Sequence, residues 1–84
     1  MKYKRDDFSY TYNSRGYMVQ YKGKNIGGAG ISKNAKSPVG QAATIQKMIY
    51  KVCAEAAINA VIKGCGSKHM LDSIHEIEGG VQYV

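Results

Sequence analysis

A long run of apolar residues at three- and four-residue steps places the strongest constraint on how this 84-residue chain can fold. The run comprises Ala42, Ile45, Met48, Ile49, Val52, Cys53, Ala56, Ala60 and Val61. Such spacing is typical of an amphipathic α-helix. Ser37 suits the N-cap, Pro38 suits the first helical position, and Gly64-Cys65-Gly66 ends the pattern. The sequence therefore predicts a helix from about Pro38 to Lys63.

The residues before this helix carry the alternation of β-strands. Segments 8–12 and 17–21 alternate large apolar side chains with small or polar ones. Asn13-Ser14-Arg15-Gly16 between them has the composition of a tight turn. A second turn at 22–24 and a short, glycine-rich third strand at 25–31 complete the pattern. We expect an α+β fold, with a three-stranded antiparallel β-meander followed by the long helix.

The last segment, 67–84, allows two interpretations. Ser67 can cap a short helix with its apolar side chains on one face, or strands 74–78 and 81–84 can flank a Gly79-Gly80 turn. The spacing of Met70, Ile74 and Ile77 favours the helix.

The length allows one domain, 1–84, in three parts: a basic β-meander at 1–36, the long helix at 37–66 and the C-terminal helix or hairpin at 67–84. A helix of that length spans about 39 Å, more than a sheet of five-residue strands can cover. Its remaining apolar surface needs the C-terminal segment or a second copy of the chain. We expect a homodimer.

Positive charge is concentrated in the first 36 residues. That segment holds Lys2, Lys4, Arg5, Arg15, Lys22, Lys24, Lys33 and Lys36 against Asp6 and Asp7. Eight cations less two acids give +6, the net charge of the whole chain, because the remaining residues balance. Such asymmetry indicates a surface that meets phosphates or an acidic partner, although a solubility charge is the simpler alternative.

Catalytic and metal-binding groups are sparse. His69 and His75 are six residues apart, a spacing that does not bring them together on a helix, and Cys53 and Cys65 show no CxxC spacing. We expect no enzymatic activity, no metal and no cofactor, and two free thiols that fill apolar space. No apolar run is long enough to span a bilayer, and the first residues lack a signal-peptide pattern, so we expect a cytoplasmic protein without membrane partners.

The two strand faces differ in character. Phe8, Tyr10, Tyr12, Tyr17, Val19 and Tyr21 share one face, which we expect to form the core under the long helix. The other face then carries Ser9, Thr11, Met18 and Gln20, flanked by Arg15, Lys22 and Lys24. A polar sheet face of this kind can enter a major groove, with Gln20 and Arg15 at base edges. If the tyrosines are exposed instead, they can stack on unpaired bases.

Glycines in the third strand offer a second hypothesis. Gly27, Gly28 and Gly30 lie between Lys22 and Lys24 on one side and Lys33 and Lys36 on the other. Their backbone can approach a phosphate closely, near the start of the long helix. Alternatively they relieve a bulge or a crowded strand.

Two family resemblances bear on function. Residues 16–45, with Gly16-Tyr17-Met18-Val19-Gln20-Tyr21-Lys22-Gly23-Lys24-Asn25-Ile26-Gly27-Gly28 before a helix, resemble the amino-terminal modules of arm-type phage integrases. In that family the sheet lies in the DNA major groove, which implies contacts by Arg15, Gln20, Lys22 and Lys24. Residues 28–36 are similar to the glycine-lysine stretch of double-stranded-RNA-binding domains, which implies phosphate contacts by Lys33 and Lys36.

We therefore expect a noncatalytic nucleic-acid-binding protein that acts through a basic sheet surface on DNA or RNA. Two alternatives fit the same residues. One is a small phage-type inhibitor or regulator that binds a host or defence protein, and the other is sequestration of a small phosphorylated ligand by the glycine-lysine region.

Overall fold

The computed structural model describes residues 3–79, which form a three-stranded antiparallel sheet followed by two helices. The strands are β1 (Phe8–Asn13), β2 (Gly16–Tyr21) and β3 (Lys24–Gly30), in sheet order β1-β2-β3. The helices are α1 (Gly40–Ile62) and α2 (Lys68–Ile77), and a 3₁₀ turn at Arg5–Asp7 precedes β1. The α+β class predicted from the sequence is confirmed.

One face of the sheet forms the core, and it is the face predicted from the alternation. Phe8, Val19 and Tyr21 are buried, and Tyr10 and Tyr17 pack against them. α1 lies against β1 and β2, whereas α2 lies against β3. The buried side chains are Phe8, Val19, Tyr21, Ile26, Ala54, Ile58, Val61, Met70 and Ile74. Both helices therefore cover the same side of the sheet.

The β2–β3 turn consists of two residues. Lys22 and Gly23 have φ angles of 52° and 83°, the left-handed pair that a type I′ hairpin turn requires. Lys24, predicted to lie in this turn, is instead the first residue of β3. The turn sets the register in which Tyr21 faces Lys24 across the hairpin.

The start of the long helix differs from the prediction. α1 begins at Gly40 with Val39 at the N-cap, and no side chain caps its free N–H groups. The predicted N-cap Ser37 and first helical residue Pro38 are therefore wrong. Ser37 lies in the loop of residues 31–39, and its hydroxyl accepts a hydrogen bond from the Arg15 guanidinium instead of capping the helix.

The end of α1 agrees with the sequence. Gly64 has a φ of 86°, and its N–H donates to the Val61 carbonyl at 3.0 Å. The Cys65 N–H donates to the Ala60 carbonyl at 2.7 Å. This pair of bonds is a Schellman motif, which glycine favours because it has no Cβ to strain the left-handed conformation. Cys65 itself is exposed, so the expectation that it fills apolar space is wrong.

The C-terminal segment is helical over its described part. The Ser67 side chain accepts a hydrogen bond from the Met70 N–H at 3.2 Å, as predicted for an N-cap. Met70 and Ile74 are buried, and Ile77 packs on the core. Residues 74–77 are helical, so the alternative strand at 74–78 is wrong, and its partner at 81–84 lies outside the described residues.

A buried tyrosine joins the end of α2 to the sheet. The Tyr21 hydroxyl donates to Glu78 Oε2 at 2.6 Å, and Lys22 Nζ lies 3.9 Å from the same carboxylate. Burial and the Glu78 hydrogen bond both raise the pKa of Tyr21 above its ordinary value, because each favours the protonated phenol. Ionisation of Tyr21 should therefore destabilise the fold.

This dependence predicts a loss of stability in alkali. The Tyr21 contribution is complete below the unfolded-state pKa of about 10, and it declines as the pH rises above that value towards the higher folded-state pKa. Tyr21→Phe should cost about 1 kcal/mol at pH 7 through the lost hydrogen bond, and should weaken the alkaline decline. Urea unfolding followed by circular dichroism from pH 7 to 11 measures both effects.

Tyr10→Phe is the matched control for this prediction. The Tyr10 hydroxyl donates to Glu55 Oε2 at 2.7 Å, but the bond lies at the surface of the protein. That hydrogen bond also raises the pKa of Tyr10, but the group is exposed to solvent, so Tyr10→Phe should remove much less of the alkaline decline than Tyr21→Phe does. If Tyr21→Phe instead shows the same pH dependence as wild type, the role assigned to Tyr21 is contradicted.

Candidate nucleic-acid interface

The side of the sheet opposite the core has no cover within residues 3–79. We call this surface the open face and define it by Ser9, Thr11, Met18, Gln20 and Asn25. The first four alternate with the core residues of β1 and β2, and Asn25 pairs with Gln20 across β2 and β3. Since α1 and α2 both pack on the core side, the open face is a polar surface available to a partner.

A row of polar side chains crosses the open face from strand to strand. The Ser9 hydroxyl donates to Gln20 Oε1 at 3.3 Å, and Gln20 Nε2 donates to Asn25 Oδ1 at 3.1 Å. At about 4.8 Å between strands, the row spans roughly 10 Å, comparable with the B-DNA major groove of about 12 Å. The hydrogen bonds hold Gln20 in place and leave the Asn25 amide nitrogen as a donor without a partner in residues 3–79.

Asn25 was not singled out from the sequence. It joins the row because the β2–β3 turn has only two residues, so that Tyr21 pairs with Lys24 and Gln20 pairs with Asn25. An irregularity follows this pair, and beyond it Val19 pairs with Gly27. Ile26, the extra residue at the irregularity, is only 2% exposed. The sequence predicted a turn over residues 22–24, which does not give this register.

Arg15 is engaged within the protein rather than directed at the open face. Its guanidinium donates to the carbonyls of Ser32 at 2.9 Å, Ala35 at 3.2 Å and Lys33 at 3.3 Å, and to the Ser37 hydroxyl. These four acceptors lie in the loop of residues 31–39, which follows β3. Arg15 therefore fastens this loop to the β1–β2 turn, a role that the sequence did not reveal.

The loop that Arg15 holds carries two of the predicted phosphate contacts. Lys33 and Lys36 are exposed, and within residues 3–79 neither ammonium group has a partner. Lys24 lies at the opposite end of the sheet. It is also exposed, and its ammonium group also has no partner within residues 3–79. Strands of six residues separate the two ends by about 20 Å. Unpaired cations thus stand at both ends of the sheet, although Lys24, as the cross-strand partner of Tyr21, starts from its core side.

Lys22 is placed less favourably than Lys33 and Lys36 for a contact at the open face. Its Nζ lies 5.4 Å from the centroid of the Tyr21 ring, and Glu78 is its nearest acidic neighbour. Tyr21 and Glu78 belong to the core side of the sheet. The structure therefore directs Lys22 away from the open face, although about half of its side chain is exposed.

The three glycines of β3 lie where the backbone of the sheet is crowded. A methyl group on Gly28 would lie 2.2 Å from the Tyr17 carbonyl oxygen, and one on Gly30 would lie 2.4 Å from that of Arg15. A methyl on Gly27 would press on Met70 of α2 at 3.1 Å. Strand pairing or helix packing thus explains why each of these three positions is a glycine. Phosphate binding by this backbone stays a prediction.

Other candidate chemistry is dispersed. His69 and His75 are both exposed on α2, and Cys53 and Cys65 are free thiols. In the part of the chain that the structure describes, no three His, Cys, Asp or Glu side chains converge as metal ligands would. Among the same residues, no helix has both the length and the hydropathy needed to cross a membrane.

Comparisons with protein-family models, curated proteins and solved structures gave no match to this chain. The resemblances to integrase modules and to double-stranded-RNA-binding domains therefore stay predictions.

The contacts of Arg15 predict how the loop responds to substitution. Arg15→Lys keeps the charge but cannot supply the fork of N–H groups that reaches four acceptors. Trypsin should then cleave after Lys33 and Lys36 several-fold faster, because the loop opens locally without unfolding the sheet. Mass spectrometry of timed digests measures the rates at these two sites and at Lys24.

Arg5→Lys is the matched control, since Arg5 donates to a single carbonyl, that of Phe8, at 2.9 Å. It should leave cleavage after Lys33 and Lys36 unchanged. Equal cleavage rates in Arg15→Lys and wild type would show that Arg15 does not hold the loop.

Proposed function

We propose that this protein binds duplex DNA through the open face of its sheet. Gln20 and Asn25 contact base edges, and Lys24, Lys33 and Lys36 contact phosphates at the two ends of the sheet. One observation carries the proposal: a polar sheet face without cover in residues 3–79 lies between exposed, unpaired cations.

The shape of the surface favours DNA over duplex RNA. The B-DNA major groove is wide enough to admit a β-ribbon, and it presents donors and acceptors that Asn and Gln amides can read. The major groove of A-form RNA is deep and narrow, and side chains cannot read it. A sheet face with a polar row about 10 Å long, which includes the Gln20 and Asn25 amides, fits the first groove and not the second.

Stacking on unpaired bases has less support. The aromatic side chains that would be needed lie on the core side, where Phe8 and Tyr21 are at most 4% exposed. Tyr10 and Tyr17 also pack against the core. Single-stranded nucleic acid would therefore meet a face that carries no aromatic ring.

Charge supports the proposal over a purely structural sheet. The first 36 residues account for the full net charge of +6. The structure uses Arg15 internally and places Lys22 beside Glu78, so the cations left for phosphates are fewer than the sequence indicated. Lys24, Lys33 and Lys36 form the main phosphate contacts in this proposal.

Of the two resemblances, the integrase module agrees better with the arrangement of elements. Its three-stranded sheet backed by a helix has the same order as β1, β2, β3 and α1. The lysines of the double-stranded-RNA-binding domain stand at a helix start, whereas Lys33 and Lys36 precede Gly40, the first residue of α1, by several loop residues.

Titration of labelled duplex DNA by fluorescence anisotropy at several salt concentrations tests the proposal. Removal of Lys24, Lys33 and Lys36 together by alanine should weaken binding and make the log–log salt slope shallower by nearly 3, at about 0.9 per phosphate contact. The control replaces Lys47 and Lys51 of α1 and Lys63 at its C-cap, which removes the same charge from the core side of the sheet. The control should retain the wild-type slope.

A second pair of variants tests the open face itself in the same titration. Gln20→Glu places a negative charge in the polar row, and repulsion by the DNA should weaken binding at least about tenfold. Gln41→Glu makes the same change at an exposed position of α1 and should bind as wild type does. If wild type binds no duplex even at low salt, the proposal fails and the protein-binding alternative takes its place.

A further inference from the structure

α1 has a second apolar face that the sheet does not use. Ile45, Met48, Ile49 and Val52 are 51%, 63%, 47% and 64% exposed. At 100° per residue these positions lie roughly 180° around the helix from the buried Ala54. We call these four residues the outer stripe.

The outer stripe is continuous and carries no charge. The exposed alanines at 42 and 56 extend it by one turn at each end, so that it runs for about 21 Å. A helix that is apolar on opposite sides is normally buried on both. α2 packs against β3 and leaves the four stripe residues exposed. Within residues 3–79 the stripe faces water.

We propose that a second copy of this chain covers the outer stripe, in an antiparallel pair of α1 helices. The spacing supports this occupant, because an i, i+3, i+4, i+7 pattern reads the same in both directions. In an antiparallel pair, Ile45 of one copy faces Val52 of the other, and Met48 faces Ile49. Such self-complementarity is what a two-fold, isologous interface requires.

The area available is sufficient for a specific dimer. At about 120 Å² for a fully exposed side chain of this size, the exposed fractions of the four stripe residues leave roughly 270 Å² of apolar surface in each copy, and the flanking alanines raise it to about 300 Å². If about 60% of the interface is apolar, the pair buries roughly 1,000 Å² in total, at the lower limit for a specific interface. An association of moderate affinity follows, concentration-dependent rather than obligate.

The dimer has a functional consequence that rests on the proposed DNA binding. The outer stripe and the open face lie on opposite sides of the molecule. α1 packs on the core side of the sheet, and the stripe is on the side of α1 that faces away from the sheet. A two-fold axis in the helix interface then directs the two open faces away from each other, whatever the crossing angle of the helices. The dimer would hold two separate duplexes, one on each side, rather than two half-sites on one duplex.

Sedimentation velocity across a range of protein concentrations tests the dimer without DNA. Met48→Glu places two carboxylates at the centre of the interface, and should weaken association at least about a hundredfold. His75→Glu, an exposed change on α2, should associate as wild type does. Far-ultraviolet circular dichroism checks folding, and Ile45→Lys provides a second interface variant. A wild-type chain that sediments as a monomer up to about 100 µM overturns the proposal.

A two-duplex capture assay tests the arrangement of the open faces. One duplex is immobilised, protein is added, and capture of a second, differently labelled duplex is measured. Wild type should capture the second duplex, and Met48→Glu should lose that capture while still binding the first. A wild-type dimer that binds the first duplex but never the second contradicts the back-to-back arrangement. Failure to bind the first duplex contradicts the proposed function alone, because sedimentation still reports the dimer.

Discussion

Burial of a single side of the sheet is the interaction on which the rest of the structure depends. Three strands of six or seven residues offer two faces, and α1 and α2 both pack on the face that carries Phe8, Val19 and Tyr21. The other face is left to polar side chains because nothing in residues 3–79 covers it. The same arrangement leaves the side of α1 that faces away from the sheet without a packing partner in residues 3–79. The open face and the outer stripe are thus two consequences of one packing arrangement.

Arg15 links this packing to the charge of the surface. The guanidinium gathers carbonyl groups of the loop that follows β3, and so determines where Lys33 and Lys36 stand relative to the sheet. A loop of nine residues between a strand and a helix would otherwise have few contacts to restrict it. One of the cations in the first 36 residues, Arg15, therefore has a structural role, because its hydrogen bonds set the positions of Lys33 and Lys36.

The sequence predicted those features that depend on local patterns. Alternation assigned Phe8, Val19 and Tyr21 to the core because a period of two residues holds for any strand, and Gly64 marked the end of α1 because the left-handed cap is local. The start of α1 was missed because the Ser37 hydroxyl bonds Arg15, 22 residues earlier in the chain. Asn25 was missed because the turn was predicted over residues 22–24, whereas the two-residue turn Lys22-Gly23 pairs Tyr21 with Lys24 and therefore Gln20 with Asn25. A contact between distant residues leaves no periodic signal, and the composition of residues 22–24 does not fix the length of the turn.

The most direct test of the central claim is a map of the DNA-binding surface by amide chemical shifts. ¹⁵N-labelled protein is titrated with duplex DNA, and the shift of each backbone amide is followed. We expect the largest changes on β1, β2 and β3 at the open face and on the loop of residues 31–39, with small changes along the outer stripe. Changes concentrated on α1 or α2, with the open face unaffected, would contradict the claim.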